Sequence, residues 1–318
     1  MLSIKQIHFS YSEQKKVLSG VSIDLKPGEV FGIVGASGGG KSTLLKIVSG
    51  LLDPSKGTVH WNNERVLGPN ERLIPGHPEI QLVNQDFNLD LFHTVKENIL
   101  LKILNLPEKD RNRFCDELLD LVELNEAASQ QARYLSGGEQ QRLAIARALA
   151  MESEVLLLDE PFSHLDAHLR LKIGAYIRQL VEIRNTLCIL VSHEGDEVMQ
   201  WCSQIAFLNK GEFSRIDTPE AFYYNPSNFN EGAYFGELNE LKEGKTKILF
   251  RPCEYKVVKN DGLEVEFQDA VFFGAYWKSF FTTKNKQTII LHGNKPLKKV
   301  KRIELKSKNT KVKLEGSC

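Results

Sequence analysis

The sequence predicts an α/β chain built on a mostly parallel, doubly wound sheet and followed by a smaller all-β domain. Three observations carry this reading. Four short apolar runs, Val30–Val34, Ile80–Val83, Val155–Leu158 and Leu187–Val191, each end in polar or glycine-rich punctuation, as strands buried on both faces do. Helical patterns lie between them, among them one face carrying Phe114, Leu118, Leu119 and Val122 and the long stretch from Gly138 to Ala150, and alternating strands and helices make parallel sheets. Beyond about residue 245 the pattern shifts to LEVEFQDAVFF, SFFTTKN and QTIILHG, the two-residue alternation of short strands that close into a small barrel.

At 318 residues the chain exceeds one ordinary domain and suits a large domain plus a small one. The expected boundaries are 1–220 for the first, 221–245 for a turn-rich linker containing Pro226, and 246–318 for the second. The largely helical segment from about 87 to 150 is expected to stand beside the sheet as an insertion. The formal net charge is zero, yet residues 241–318 hold 18 Lys/Arg against 8 Asp/Glu, leaving 23 against 33 in residues 1–240. Such asymmetry can mark a nucleic-acid or anionic-membrane surface; Lys-rich exposed strands that discourage edge pairing are the preferred account, and no nucleic-acid partner is expected. The five cysteines are scattered without a CxxC pair, which points away from a disulfide framework or zinc site and toward a reducing cytosol. No apolar run approaches a bilayer span, and the opening MLSIKQIHFSY alternates like a strand. A membrane role therefore calls for a partner.

The first buried run enters GASGGGKST, comprising Gly35, Ala36, Ser37, Gly38, Gly39, Gly40, Lys41, Ser42 and Thr43. This is GxxxxGK[ST] in the required order of strand, loop and helix. Glycines let the backbone turn successive N–H groups toward phosphate oxygens, and the following helix adds its positive end. Lys41 is expected to reach the β- and γ-phosphates of a bound nucleotide and the Ser42 hydroxyl to ligate Mg²⁺; which nucleotide is decided elsewhere in the chain. The third run delivers Asp159 and Glu160 to a strand end in LLLDEP. Adjacent carboxylates can divide two tasks there, Asp159 holding hydrated Mg²⁺ and Glu160 acting as general base toward water.

Which phosphate-binding ATPase this is turns on LSGGEQQRLAIARAL, residues 135–149. Alone, Ser136 followed by Glu139 is a helix-capping box. The whole segment resembles the signature of the ABC ATPases, and the resemblance covers about residues 1–220 with the motifs in order. The fold it implies is a P-loop ABC ATPase domain, a mixed sheet with a helical subdomain, followed by a small all-β OB-like domain. It further implies a head-to-tail dimer of two copies, in which Ser136, Gly137 and Gly138 of one copy face the γ-phosphate held by the other. Tyr11 resembles the aromatic that stacks on adenine, although Phe9 is close by. Gln85 resembles the residue that senses the Mg²⁺ site and abuts the membrane partner. Asp166 resembles the aspartate that crosses the dimer interface, and His193 the histidine that contacts the γ-phosphate; the other seven histidines read as surface or packing residues.

Beyond the linker, Arg251-Pro252-Cys253-Glu254 and FFGAYWKSFF resemble the transport-associated domain of importer ATPases for ferric iron, polyamines, oxyanions and sugars. Cys253 departs from the usual RPE-like junction, and NLDLFHTVKENI lacks the phenylalanine-proline pair common after the Gln85 position. The resemblance implies an ATP-hydrolysing subunit at the cytoplasmic face of the membrane, working with integral membrane permease subunits and an extracytoplasmic solute-binding protein. The alternative is a non-transport ABC ATPase acting on ribosomes or nucleic acid. The second domain is expected to dimerise or regulate.

Overall fold

The computed structural model describes residues 1–12, 15–84, 87–244, 246–306 and 310–313. The chain divides into two compact units, Met1–Asp217 and Thr218–Cys318. In the first, β1 (Leu2–Ser12) pairs antiparallel with β2 (Lys15–Leu25), and β3 (Val30–Val34) leads through the glycine-rich loop into α1 (Lys41–Val48). β4 (Lys56–Trp61) and the two-residue β5 (Glu64–Arg65) complete an antiparallel sheet ordered β2-β1-β4-β5. β6 (Ile80–Val83) precedes the helical segment, which holds α2 (Val95–Leu100), α3 (Glu108–Leu121) and α4 (Gly137–Ala150). Then follow β7 (Val155–Asp159), α5 (Ala167–Arg184), β8 (Leu187–Ser192), α6 (Gly195–Trp201), β9 (Gln204–Asn209) and β10 (Glu212–Asp217).

The second sheet runs β10-β9-β3-β8-β7-β6, parallel throughout except for the β10 edge. The four apolar runs are its β3, β6, β7 and β8, and their burial has a simple cause. Val155 and Leu157 of β7 join Leu44, Leu45 and Ile47 of α1 and Ile4 and Val59 of the antiparallel sheet in one core. Leu158 points to the other face, beside Phe162, Ile177 and Trp201. Because side chains alternate along a strand, a strand covered on both sides must be apolar at every position. In α3 the buried residues are Cys115, Leu118, Leu119 and Leu121, with the buried Val122 at its C-cap and Phe114 at the margin.

The second unit begins earlier than the sequence reading placed it. Within the supposed linker lie α7 (Pro219–Tyr224), α8 (Phe229–Ala233) and β11 (Asn239–Glu243), and β11 pairs over its whole length with β12 (Thr246–Phe250). Pro219 stands at the first turn of α7 behind the Thr218 cap, a position where proline starts a helix instead of breaking it. The remaining strands are β13 (Tyr255–Val257), β14 (Leu263–Phe272), β15 (Trp277–Thr283), β16 (Thr288–Gly293), β17 (Arg302–Leu305) and β18 (Thr310–Lys313). They form two antiparallel sheets, β11-β12-β18 and β13-β17-β14-β15-β16, around a core that includes Phe250, Phe281, Ile289, Leu291 and Ile303. Among the described residues no helix is long and apolar enough to cross a membrane.

Candidate active site

The glycine-rich loop is shaped by contacts that leave no space for side chains at Gly35, Gly39 and Gly40. A Cβ at Gly35 would lie 2.2 Å from the carbonyl oxygen of Leu208 on β9. Gly40, the residue before α1, has φ 99, and a Cβ there would meet the Val17 carbonyl oxygen at 2.9 Å. Glycine alone satisfies both demands without strain. Ala36, Ser37 and Gly38 form the exposed rim of the loop, and the Gly39 N–H donates to the Ala36 carbonyl at 3.0 Å. The largely buried Lys41 folds back over this rim, its Nζ donating to the carbonyls of Gly35 at 2.8 Å and Ala36 at 3.1 Å. Burial pushes the Lys41 pKa below the usual lysine value, against the opposing pull of Glu160 and Asp159.

β7 ends on Asp159, which is 6% exposed. Burial raises its carboxyl above the ordinary aspartate value, while a hydrogen bond from Ser42 and the nearby Lys41 act the other way. Glu160 follows with φ 52, in the left-handed region, and its N–H donates to the Val191 carbonyl of β8 at 2.9 Å. His193, just past β8, brings Nδ1 to 3.2 Å from Glu160 Oε1. Asp159, Glu160 and His193 share the wall of a cleft of about 490 Å³ with Asn84, Gln141 and His164.

Among the other expected residues, Tyr11 is 62% exposed, edge-on to Phe9 at 4.9 Å, with its hydroxyl 3.3 Å from Thr43 Oγ1. Phe9 belongs to the core, so the exposed aromatic of this strand end beside the loop is Tyr11. Ser136 caps α4 in a reciprocal box: its N–H and Oγ–H donate to Glu139 Oε2 at 2.8 and 2.7 Å, and the Glu139 N–H donates back to Ser136 Oγ at 3.4 Å. A Cβ at Gly137 would open onto empty space, while one at Gly138 would lie 3.6 Å from the His164 carbonyl oxygen. Asp166 caps α5, accepting from the Leu169 N–H at 2.9 Å. Gln85 lies outside the described residues. The fold thus gathers the loop, Asp159, Glu160 and His193, and sets Ser136–Gly138 at an exposed helix start.

Sequence reasoning passed over three cleft residues. Asn84 precedes Gln85, His164 lies four positions beyond Glu160, and Gln141 sits within the segment already singled out. Only their neighbourhood in the chain could have flagged them.

A phosphate cradle at a strand-to-helix turn, with two carboxylates and a histidine arriving from neighbouring parallel strands, defines a P-loop nucleotide hydrolase. Residues 18–163 match the ABC transporter family. A sulfate/thiosulfate import ATP-binding protein from Pseudomonas syringae pv. tomato is 36% identical over 253 residues, which is 77% of this chain and 76% of that protein. A spermidine/putrescine import ATP-binding protein from Thermotoga maritima is 36% identical over 264 residues, 82% of this chain and 70% of the relative. An Fe(3+) ions import ATP-binding protein from Haemophilus influenzae is 32% identical over 323 residues, spanning 99% of this chain and 88% of its own. A solved ATP-binding cassette, a dimeric post-hydrolysis state bound to ADP and Pi, superposes with a TM-score of 0.62 at 30% identity, covering 69% of this chain and 99% of that one. The chain belongs to the ABC transporter family, as an ATP-binding, ATP-hydrolysing subunit of the importer type. The alternative of a non-transport ATPase is not favoured by these relatives.

Proposed function

We propose that two copies of this chain close head to tail on two molecules of MgATP, and that the closure drives integral membrane permease subunits from the cytoplasmic face. An extracytoplasmic solute-binding protein would deliver the cargo. The observation that carries the reading is the arrangement at one cleft of Asp159, Glu160 and His193, with the Lys41 ammonium near enough to both carboxylates to feel their charge and the exposed N-terminus of α4 available to a second copy.

Each residue has a task that follows from its position. Backbone N–H groups of Gly35–Thr43 and the Lys41 ammonium bind phosphate oxygens. Tyr11 supplies an exposed ring for the adenine to stack against. Ser136, Gly137 and Gly138 offer N–H groups and a helix N-terminus to the γ-phosphate held by the other copy, and Asp166 lies along the facing surface. Glu160 takes a proton from the attacking water, and His193, 3.2 Å from it, holds the γ-phosphate side of the reaction in register.

The donor set fits Mg²⁺. Asp159 Oδ1 and Asn84 Oδ1 are buried acceptors without a partner among the described residues, Ser42 hydrogen-bonds to Asp159, and the chemistry is all oxygen, as a hydrated magnesium ion requires. Ser42 and Asp159 would hold the ion, with Gln85 as a third contact. When bound, Mg²⁺ would neutralise the charge that develops on the phosphate oxygens. Relatives named for sulfate, polyamines and ferric iron are between 32% and 36% identical to this chain, which supports placing cargo recognition on other subunits.

The test is Glu160→Gln. Turnover should fall about a thousandfold, in the range that removal of a positioned proton acceptor produces, while ATP binding persists and a stable ATP-dependent dimer accumulates in sizing experiments. Parental turnover would remove Glu160 as the base, and a variant that stays monomeric with ATP would remove the closure model.

A further inference from the structure

Gln141 has no part in the mechanism above, yet its amide nitrogen makes three hydrogen bonds in the wall of the cleft. It is 3% exposed. Its Nε2 donates to the Glu160 carbonyl at 3.0 Å, to the Pro161 carbonyl at 3.0 Å and to Ser163 Oγ at 3.2 Å. Two carbonyl oxygens facing one amide require its NH₂ end, because a side-chain oxygen there would meet only acceptors.

The peptide it holds is unusual. Glu160 lies at φ 52, a conformation that non-glycine residues keep only where neighbours over-determine it. Here its N–H is fixed to β8 through Val191, and its carbonyl is held by Gln141 and by the Ser163 hydroxyl at 3.1 Å. Gln141 stands five residues beyond Ser136 on α4. A helix is stiff over that length, so a shift of the α4 N-terminus carries the Gln141 amide with it.

We propose that Gln141 is a positioning residue for hydrolysis: it holds the Glu160 peptide in the left-handed conformation that aims the carboxylate, and ties that aim to the position of the α4 N-terminus. The inference rests on the reading of Glu160 as general base. Its consequence is a link between two nucleotides. The α4 N-terminus engages the ATP held by the other copy, whereas Glu160 acts on the ATP held by its own chain. Engagement of the first nucleotide thereby sets the base for the second through one helix and one amide, a contiguous connection of the kind that coupling requires.

Two variants of the full chain test this. Gln141→Met keeps the length of the side chain and removes its donors; kcat should fall about tenfold to a hundredfold, the scale of a small misplacement of a reacting group, with ATP affinity unchanged by equilibrium binding of a fluorescent ATP analogue. Gln141→Glu presents a carboxylate to two carbonyls and can donate only when protonated, so its kcat relative to the parent should rise as pH falls from 8 to about 6. Parental kcat in Gln141→Met, a fall in ATP affinity as large as the fall in kcat, or a ratio for Gln141→Glu that does not change with pH would each overturn the proposal. Glu160→Gln measured alongside separates the two failures. An inactive Glu160→Gln with a fully active Gln141→Met removes the positioning role alone; an active Glu160→Gln removes the base and this inference together.

Discussion

Replacing Arg251 by leucine should unfold the second unit preferentially. Arg251 is fully buried, and its guanidinium donates to four backbone carbonyls: Tyr223 at 2.9 Å, Gly232 at 3.1 Å, Gly236 at 2.9 Å and Glu237 at 3.1 Å. These acceptors lie at the end of α7, in α8 and in the turn leading to β11, so one side chain fastens the two short helices to the sheets. It also lies over the Tyr223 ring, 4.1 Å from the centroid. Hydrogen bonds to a charged group contribute about 1.5–3 kcal/mol each, but burying the guanidinium offsets much of their sum. Leucine restores apolar volume while leaving the carbonyls without a donor; the Gly232 bond is the fully buried one and the other three are partly buried. A net loss of about 2–4 kcal/mol follows, set by about 1–3 kcal/mol for the buried Gly232 carbonyl left without this donor and less for the three partly buried ones. Hydrogen exchange read by mass spectrometry in rising urea, with peptides from β12 and β14–β16, measures the second unit separately from β3 and β7 of the first. A loss below about 1 kcal/mol, or an equal loss in both units, would refute the reasoning.

Lys41→Ala should weaken ATP binding about tenfold to a hundredfold, the equivalent of one or two charge-assisted hydrogen bonds; unchanged affinity in equilibrium titration would sink the phosphate-site assignment. Burial raises the Cys115 thiol to about 11 and the Cys188 thiol to about 12, and lifts Cys202 as well, whereas Cys253 is exposed. The thiolate is the reactive form. Of these four cysteines, Cys253 alone should therefore be alkylated within minutes at pH 8, and mass mapping that finds Cys188 labelled as fast in folded protein would show that the β8 core is open.

The short-range parts of the site were legible because their chemistry is local. A loop must have glycine where the backbone turns left-handed or presses on a neighbour, so Gly35 and Gly40 announced themselves beside Lys41 and Ser42. Asp159 and His193 stood at the ends of wholly apolar runs, and such runs betray strands covered on both faces. The antiparallel sheet was only partly visible: the alternation of β1 is plain, but β4 is paired to it from Leu2↔Trp61 to His8↔Lys56, far apart in the chain, and no local pattern encodes that pairing. The supposed linker misled for a related reason. Its prolines and asparagines mark helix caps and tight turns as readily as loops, and what makes 218–243 part of the second unit is the distant Arg251 and the ladder to β12. That turn also accounts for the Arg251-Pro252-Cys253-Glu254 pattern: Glu254 accepts from the Arg251 N–H at 2.7 Å and its own N–H donates to the Arg251 carbonyl at 2.9 Å, while Cys253 faces outward and is free to vary.

By itself, then, the amino-acid sequence determined the class of protein, an ATP-hydrolysing subunit of the ABC family, since the GxxxxGK[ST] loop, the LLLDEP strand end and the LSGGE helix start are each local patterns of particular residue types at fixed spacings. Only the tertiary structure decided that Phe9 is core and Tyr11 exposed, that Gln141 of α4 grips the Glu160 peptide from another element, and that Asn84 and His164 share the cleft. Those facts depend on which side chains meet after residues far apart in the chain have packed, and packing is a property of the whole fold, with no signature in any one segment.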